Sequence, residues 1–456
     1  MAKRLSVWSL LAFSSPAIPA TLLIAPVFGV LPSYYTLHTR VTLAEVGAAF
    51  LIARIIDALI DPLVGILSDR TRTAWGARLP WMVAGAVLAL PSAWFFFLPP
   101  KDAGGLYFFI ASFMTMAAWT LLTIPHGAWA AELTDDYDER SRIFGVRNVL
   151  ASVGAFGFFL LPPLLAPFTH TTEIDGATML ALVVALFVLM PATLAWAAAK
   201  APARGAPLEQ VGQAPASLMS VLRSVGGNRP FLCYVAVTVL AGVAAGMSTG
   251  LGFLYTQDYL GLGAGFFLLG IIPAVAGIAA TPLWLWAARL MDKHKAWAVG
   301  LWLGSLVGLP VLFLTPGPQS LIPLLAIATV GGVMQSVGMA LPSSILADVA
   351  DYEAWKQNTK AAGNYFALLT LLSKITTAVG SSLALLLSGV LGYIPRAQGG
   401  SGHIAALLVP FVIVPTILNV LAGALVYGFP LDRKRHTLIM NRLARREAHL
   451  VQAPSS

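Results

Sequence analysis

Three charged residues lie in a stretch otherwise apolar enough for a lipid bilayer: Arg54, Asp57 and Asp61. At i, i+3 and i+7 they share one face of a helix. A charge at the centre of a membrane helix costs about 2.5–3.5 kcal/mol on insertion scales. Three of them nearly cancel what the surrounding apolar residues gain, so this face must look into protein, pair internally or bind an ion. Carboxylates are hard oxygen donors that suit Na+ and protonation alike. A structural Arg54–Asp57 ion pair is the plainer alternative, but it does not account for Asp61. Lys374 is the other basic residue inside an apolar run. With Arg54, Asp57 and Asp61 it sums to zero charge. The expectation is that the second and eleventh membrane helices bring the four together. A proton or Na+ would then compete with Lys374 for the carboxylates and link ion binding to helix rearrangement. A permanent salt-bridge latch is compatible with the same residues.

The elements that must position these residues are membrane helices. Of 456 residues, 58% are hydrophobic and only 11% are charged, against about 25% charged in a soluble domain. Mean hydropathy is +0.80. Apolar runs of spanning length fall at about 11–35, 43–67, 80–98, 106–131, 143–167, 177–199, 230–257, 262–288, 297–315, 320–346, 362–394 and 404–429, twelve in all. Lys3 and Arg4 before the first run imitate a signal peptide. The run continues beyond any cleavage-like site, and it reads as a retained first helix. Asp61 lies about 9 Å from the cytoplasmic end of the second span and Asp57 about 15 Å, at 1.5 Å per residue.

Basic residues set the orientation. With a cytoplasmic N-terminus, the opposite side carries only Arg40, Lys101 and Arg396; Arg54 and Lys374 lie in helices, and the other basic residues are cytoplasmic. The net charge of +8 therefore reports topology and not nucleic-acid binding. The Arg433-Lys434-Arg435 tail fits lipid headgroups. Both termini are expected in the cytoplasm, and the membrane is expected to be a bacterial inner membrane.

The longest polar stretch, 200–229, divides the chain into halves. Asp69-Arg70 after the second helix and Asp292-Lys293 after the eighth recur about half a chain apart. So do Glu132 at the end of the fourth and Asp348 at the end of the tenth. This weak repeat predicts two six-helix bundles, 1–199 and 230–429, with a cytoplasmic loop at 200–229 and a basic tail at 430–456. A solute site would lie between the bundles near the bilayer midplane. Asp69 and Arg70, with Arg54, read as structural charges.

Other chemistry is thin. The seven histidines show no metal spacing. Cys233 stands alone and reads as a small core residue. No Gly-rich phosphate loop offers ATP drive. No cofactor beyond a coupling ion, no nucleic acid and no protein partner is implied. Rings at Trp119, Trp129, Tyr255 and Tyr365 suit stacking on a substrate ring or ordinary packing.

Asp57 and Asp61-Pro62, Gly65, Asp69-Arg70-Thr71-Arg72, Trp75-Gly76 and Pro80-Trp81 resemble the second helix and following loop of the glycoside–pentoside–hexuronide:cation symporters. These belong to the major facilitator superfamily. Ile124-Pro125-His126-Gly127-Ala128 with Leu133 to Arg140 resembles that family's fourth-helix end, and Ala347 to Tyr352 its tenth-helix end. The resemblance implies an all-α integral membrane protein with the major facilitator fold, twelve transmembrane helices in two pseudo-symmetric six-helix bundles. By the same resemblance Asp57, Asp61, Thr120 and Lys374 match the cation site, the two aspartates being the Na+ ligands. Arg147 falls on an arginine of the sugar cavity. Two departures stand out. Ile60 occupies the position of an asparagine that ligates sodium. The sugar-holding aspartates are missing: no acidic residue precedes Glu45, and Thr123 stands at the fourth-helix position.

These features predict a symporter driven by H+ or Na+. It would move a small solute, a glycoside, pentoside or sugar acid, by alternating access between two bundles. Thr123, Arg147, Trp119 and Tyr365 are the substrate candidates. A lysolipid-like or other amphipathic solute is the alternative that the missing aspartates suggest. A polytopic membrane enzyme would need a nucleophile–base pair or metal set that the scattered histidines and lone cysteine do not offer.

Overall fold

The computed structural model describes residues 5–134, 137–169, 174–201, 229–263, 265–357, 362–395 and 404–452; most of the 200–229 loop lies outside them. All regular structure among these residues is helical. The helices are α1 (Val7–Ser14), α2 (Ala17–Gly29), α3 (Leu31–His38), α4 (Leu43–Arg70), α5 (Leu79–Phe97), α6 (Gly105–Glu132), α7 (Tyr137–Thr169) and α8 (Gly176–Lys200). Then follow α9 (Arg229–Leu254), α10 (Gly265–Met291), α11 (Lys293–Gly308), α12 (Leu321–Gln335), α13 (Val337–Gln357), α14 (Ala362–Val390), α15 (Ile404–Leu408), α16 (Val414–Tyr427) and α17 (Arg433–Gln452). Eleven segments among the described residues are long and apolar enough to cross a membrane. The twelfth expected span, α4, is not among the eleven, although its 28 residues reach about 42 Å. It alone carries Arg54, Asp57 and Asp61 along its middle.

Local chemistry explains the element ends. Thr42 and Glu45 form a capping box at the start of α4: Glu45 N donates to Thr42 Oγ1 at 3.3 Å, and Thr42 N donates to Glu45 Oε2 at 2.8 Å. The helix runs on to Arg70, three residues beyond the expected end. Asp57 is thus its fifteenth residue, close to the centre. The first apolar run is three segments, interrupted at Ser15-Pro16 and at Val30. The expected tenth span is interrupted at Ser336, between α12 and α13. Single π-turns at Tyr255–Tyr259 and Val409–Ile413 continue α9 and α15. Such breaks are tolerated in membranes where neighbouring helices satisfy the freed backbone.

Contacts divide the chain into two compact units. The first comprises Met1–Gln210, Thr249–Leu268 and Ser381–Leu407. In it α6 packs on α4 and α5, and α7 on α2. Rings of Tyr35, Phe50 and Phe96 surround Phe108 with centroids 4.7–5.5 Å away, and the Tyr35 hydroxyl donates to Phe96 O at 2.9 Å. The second comprises Val211–Ser248, Leu269–Gly380 and Leu408–Ser456. There α11 packs on α12, α13 and α16, and the tail helix α17 on α13. Its core includes Tyr234, Trp284, Trp297, Val337 and Leu346. Large apolar side chains such as Val87, Leu106, Phe168, Phe313 and Ile322 are exposed, as lipid-facing residues of an integral membrane protein should be.

Helices approach closely where glycine permits it. A Cβ on Gly154 of α7 would strike the backbone carbonyl of Ile18 in α2. Backbone cannot swing away as a side-chain tip can. Gly154→Ala should therefore cost about 1–3 kcal/mol, read as a lowered thermal-unfolding midpoint in detergent. An unchanged midpoint would mean that α2 and α7 slide apart freely.

Candidate functional site

The first unit assembles three oxygens from two helices. On α4, Asp57 and Asp61 stand one turn apart and face α6. Thr120 of α6 places Oγ1 at 2.9 Å from Asp57 Oδ1 and 3.0 Å from Asp61 Oδ1. Thr120 and Asp57 are buried. A hydroxyl has one proton and can donate it to one carboxylate at a time. Two ionised carboxylates converging on one hydroxyl repel each other in a poorly solvated place. The arrangement is relieved if one carboxyl carries a proton, or if a cation sits among the oxygens. Arg54 approaches from the other side, its Nη1 at 3.4 Å from Asp57 Oδ2, with its guanidinium carbon 3.9 Å above the Phe28 ring. Its Nη2 is buried with no hydrogen-bond partner among the described residues. Arg54, Asp57 and Asp61 together carry one net negative charge, the complement of one monovalent cation. The Arg54–Asp57 pair of the plainer alternative is present. Arg54 is the structural partner of one Asp57 oxygen, while the other faces Thr120 and Asp61.

A second constellation lies further along α6. Trp119, Thr123 and His126 follow one helix face at i, i+4 and i+7. His126 Nε2 lies 2.8 Å from the Phe13 carbonyl. A carbonyl only accepts, so Nε2 carries the hydrogen and Nδ1 is left as an acceptor. Arg147 of α7 donates its Nε to that atom at 3.3 Å. Both bonds are satisfied only by the neutral imidazole, which aims the half-buried Arg147 guanidinium. His126, read from the sequence as one of seven scattered histidines, is thus the residue that orients the candidate substrate arginine. Its only sequence signal was its place beside Pro125 in the resembling stretch. The Thr123 hydroxyl is turned to its own helix, donating to Trp119 O at 2.9 Å. Trp119 is half-buried. The side chain of Tyr365 lies outside the described residues. Lys374 is on α14 in the second unit, with an exposed side chain.

The structural charges differ from expectation in one residue. Arg70 is exposed; the cation that ties the α4 end to the α6 end is Arg78. It is 5% exposed. Its Nη2 contacts Asp69 at 2.5 Å and also Glu132, its Nε donates to Glu132 Oε1 at 2.9 Å, and its Nη1 donates to Ser68 Oγ at 2.7 Å. In sequence Arg78 looks like any other basic residue of the loop. The second unit repeats the device: Lys293, after α10, donates to both Asp348 oxygens at 2.9 and 2.8 Å. Among the described residues no group of three His, Cys, Asp or Glu side chains is placed to hold a metal ion.

The profile of the MFS/sugar transport protein family matches residues 12–433. The chain is 24% identical to the glucuronide carrier protein homolog of Escherichia coli (strain K12), over 91% of this chain and 90% of that protein. It is 25% identical to the isoprimeverose transporter of Lactiplantibacillus pentosus, over 84% and 80%. A crystal structure of the nucleoside transporter NupG superposes with a TM-score of 0.65 at 13% identity, covering 92% of this chain and 98% of that one.

Proposed function

The chain belongs to the MFS/sugar transport protein family and is a secondary transporter of sugar-like solutes; from that premise we propose that it is a symporter whose coupling cation binds at Asp57, Asp61 and Thr120. The observation that carries this reading is the Thr120 hydroxyl within 3.0 Å of both carboxylates. The net charge of −1 on Arg54, Asp57 and Asp61 calls for one H+ or Na+. Among the described contacts three oxygens converge there, one hydroxyl and two from carboxylates. That set is smaller than Na+ usually collects, and Ile60 adds no ligand; a proton needs no more than one carboxylate and one acceptor. We therefore read the coupling ion as H+. Binding it between α4 and α6 changes the charge on the helix pair, and so biases which of two arrangements is favoured. Arg147, aimed by His126, supplies the polar contact to the solute. A glycoside, pentoside or sugar acid fits both this contact and the names of the relatives. The membrane is a bacterial inner membrane, with both termini in the cytoplasm.

The test is uptake into proteoliposomes under an imposed pH or Na+ gradient, with glycosides, pentosides, sugar acids and lysolipids. A sugar should accumulate with the pH gradient alone. Thr120→Val keeps the shape and deletes the bridging hydroxyl. It should weaken the apparent ion affinity about tenfold, the equivalent of one hydrogen bond to a charged group. Accumulation indifferent to both gradients would refute symport. Accumulation driven only by Na+ would replace the proton, and accumulation of lysolipids alone would replace the sugar.

A further inference from the structure

The first unit carries an apolar groove of about 650 Å³ between α5 and α8. It begins in the loop after α4, at Ala74 and Trp75, and follows α5 from Leu79 to Leu90. At 1.5 Å per residue it is about 16 Å long. That matches one leaflet of a hydrocarbon core about 30 Å thick. None of its 13 lining residues bears a charge, a hydroxyl or an amide side chain, so a sugar would find no partner there. Trp129 of α6 is the floor, 6% exposed and packed edge-on against Phe13 at 5.3 Å. The α8 wall is low. Pro191, Ala195 and Ala198 follow one helix face at i, i+4 and i+7, and all three are exposed. Elsewhere on α8 the exposed residues include the larger Val184, Phe187 and Val188.

The loop end of the groove is a built structure. Trp75 is exposed, yet its backbone is fixed. The Thr73 hydroxyl accepts from Trp75 N at 3.2 Å and donates to Gly76 O at 2.7 Å. Gly76 stands at φ +87°, where a side chain would be strained. Trp81 Nε1 donates to Thr71 Oγ1 at 2.8 Å and ties the loop to α5. An indole held at the end of a membrane helix sits where lipid headgroups begin. Two exposed cations flank this end. Arg72 lies two residues before Ala74, and its Nη1 donates to Asp69 O at 3.2 Å. Lys200 directly precedes the lining residue Ala201. The Asp69 carboxylate is engaged by Arg78. Lipid tails are as apolar as leucine, so transfer from bilayer to groove gains little in itself. A tail that fits gains dispersion contacts along its length. What selects among lipids is the charge at the mouth, and that charge is positive.

We propose that this groove binds one anionic phospholipid of the inner leaflet: an acyl chain lies between α5 and α8, and Arg72 and Lys200 hold the phosphate. The choice of leaflet rests on the reading of both termini as cytoplasmic; the chemistry of the site does not. A second copy of this chain would need a face of about 800 Å² on each partner. A slot about 16 Å long with a low alanine wall suits a single chain of methylenes instead.

The experiment is native mass spectrometry of delipidated full-length protein titrated with dioleoylphosphatidylglycerol, with zwitterionic dioleoylphosphatidylcholine as the comparison. The unchanged protein should take one phosphatidylglycerol ahead of further lipids, and more tightly than phosphatidylcholine. Ala198→Phe fills the groove and should weaken that first binding at least about tenfold. Val184→Phe, exposed on α8 but outside the groove, should change it less than about twofold. If Ala198→Phe does not fold, Ala195→Phe carries the test from the same wall. Arg72→Gln and Lys200→Gln should each weaken phosphatidylglycerol about fivefold, with a smaller effect on phosphatidylcholine. Equal binding by the phenylalanine variant overturns the proposal. So does equal affinity of the unchanged protein for the two lipids, or a preference that survives loss of both cations. A dimer that Ala198→Phe dissociates while lipid binding stays the same would make the groove a contact between copies, and also overturns it. Lipid binding is read without a gradient or a solute, so its failure leaves the transporter reading to be judged by uptake.

Discussion

Asp57→Asn should abolish concentrative uptake while leaving a folded protein that equilibrates its solute across the membrane. The substitution is nearly isosteric, and asparagine can still accept from Thr120. What changes is charge. Arg54, Asp57 and Asp61 carry a net −1, and one cation completes them. With asparagine at position 57, Arg54 and Asp61 already cancel, and nothing demands the coupling ion. Moving one elementary charge through 100 mV is worth about 2.3 kcal/mol, roughly fifty-fold in concentration. That factor is the accumulation expected to disappear, to a ratio near one. Solute counterflow, which needs no net ion movement, should persist and shows that the solute path survives. The measurement is the steady-state inside-to-outside ratio in energised proteoliposomes, beside counterflow in de-energised ones. A variant that still concentrates its solute would remove Asp57 from coupling, whatever its place beside Thr120.

How far this site was legible differs by residue. The Arg54–Asp57–Asp61 face needs only helix periodicity and the cost of charge in lipid, and α4 places it as the spacing predicts. Thr120 was not legible that way. It is one hydroxyl among several in an apolar helix, 63 residues from Asp57, and only the family resemblance pointed to it. His126 acts through a carbonyl, that of Phe13, which no side-chain pattern reveals. Eleven of the twelve expected spans meet the length and hydropathy of a membrane crossing, but the interruptions at Val30 and Ser336 were not readable from hydropathy. Each is a local backbone event inside a run whose composition does not change.

Arg78 is the residue whose removal should cost the most stability, and it is one that sequence reasoning passed over. Arg78→Ala deletes the cation that pairs with both Asp69 and Glu132 and removes the Arg78 donor from Ser68. The two acids differ: the Asp69 side chain is 55% exposed and can turn to water, whereas that of Glu132 is 16% exposed and cannot. Breaking one partner of a buried ion pair costs about 3–5 kcal/mol. The escape of Asp69 puts the expectation at the lower end of that range, several degrees in the unfolding midpoint. For the Arg78 guanidinium, burial alone would lower the pKa. Hydrogen bonds and charge attraction from Glu132 and Asp69 overcome it, so the pKa stands above the ordinary arginine value. A raised folded-state pKa means that this contribution is complete below the unfolded value and fades only above it. Alkaline titration in the working range should therefore not imitate the mutation. Arg78→Lys keeps the charge but replaces a planar fork by a point donor, and it should recover part of the loss. The decisive comparison is the double variant Arg78→Ala/Glu132→Gln. If the cost is an uncompensated Glu132 carboxylate, neutralising that carboxylate restores much of the midpoint. If the cost is lost packing of the arginine stem, the double variant melts no higher than Arg78→Ala, and the ion network is not what ties α4 to α6.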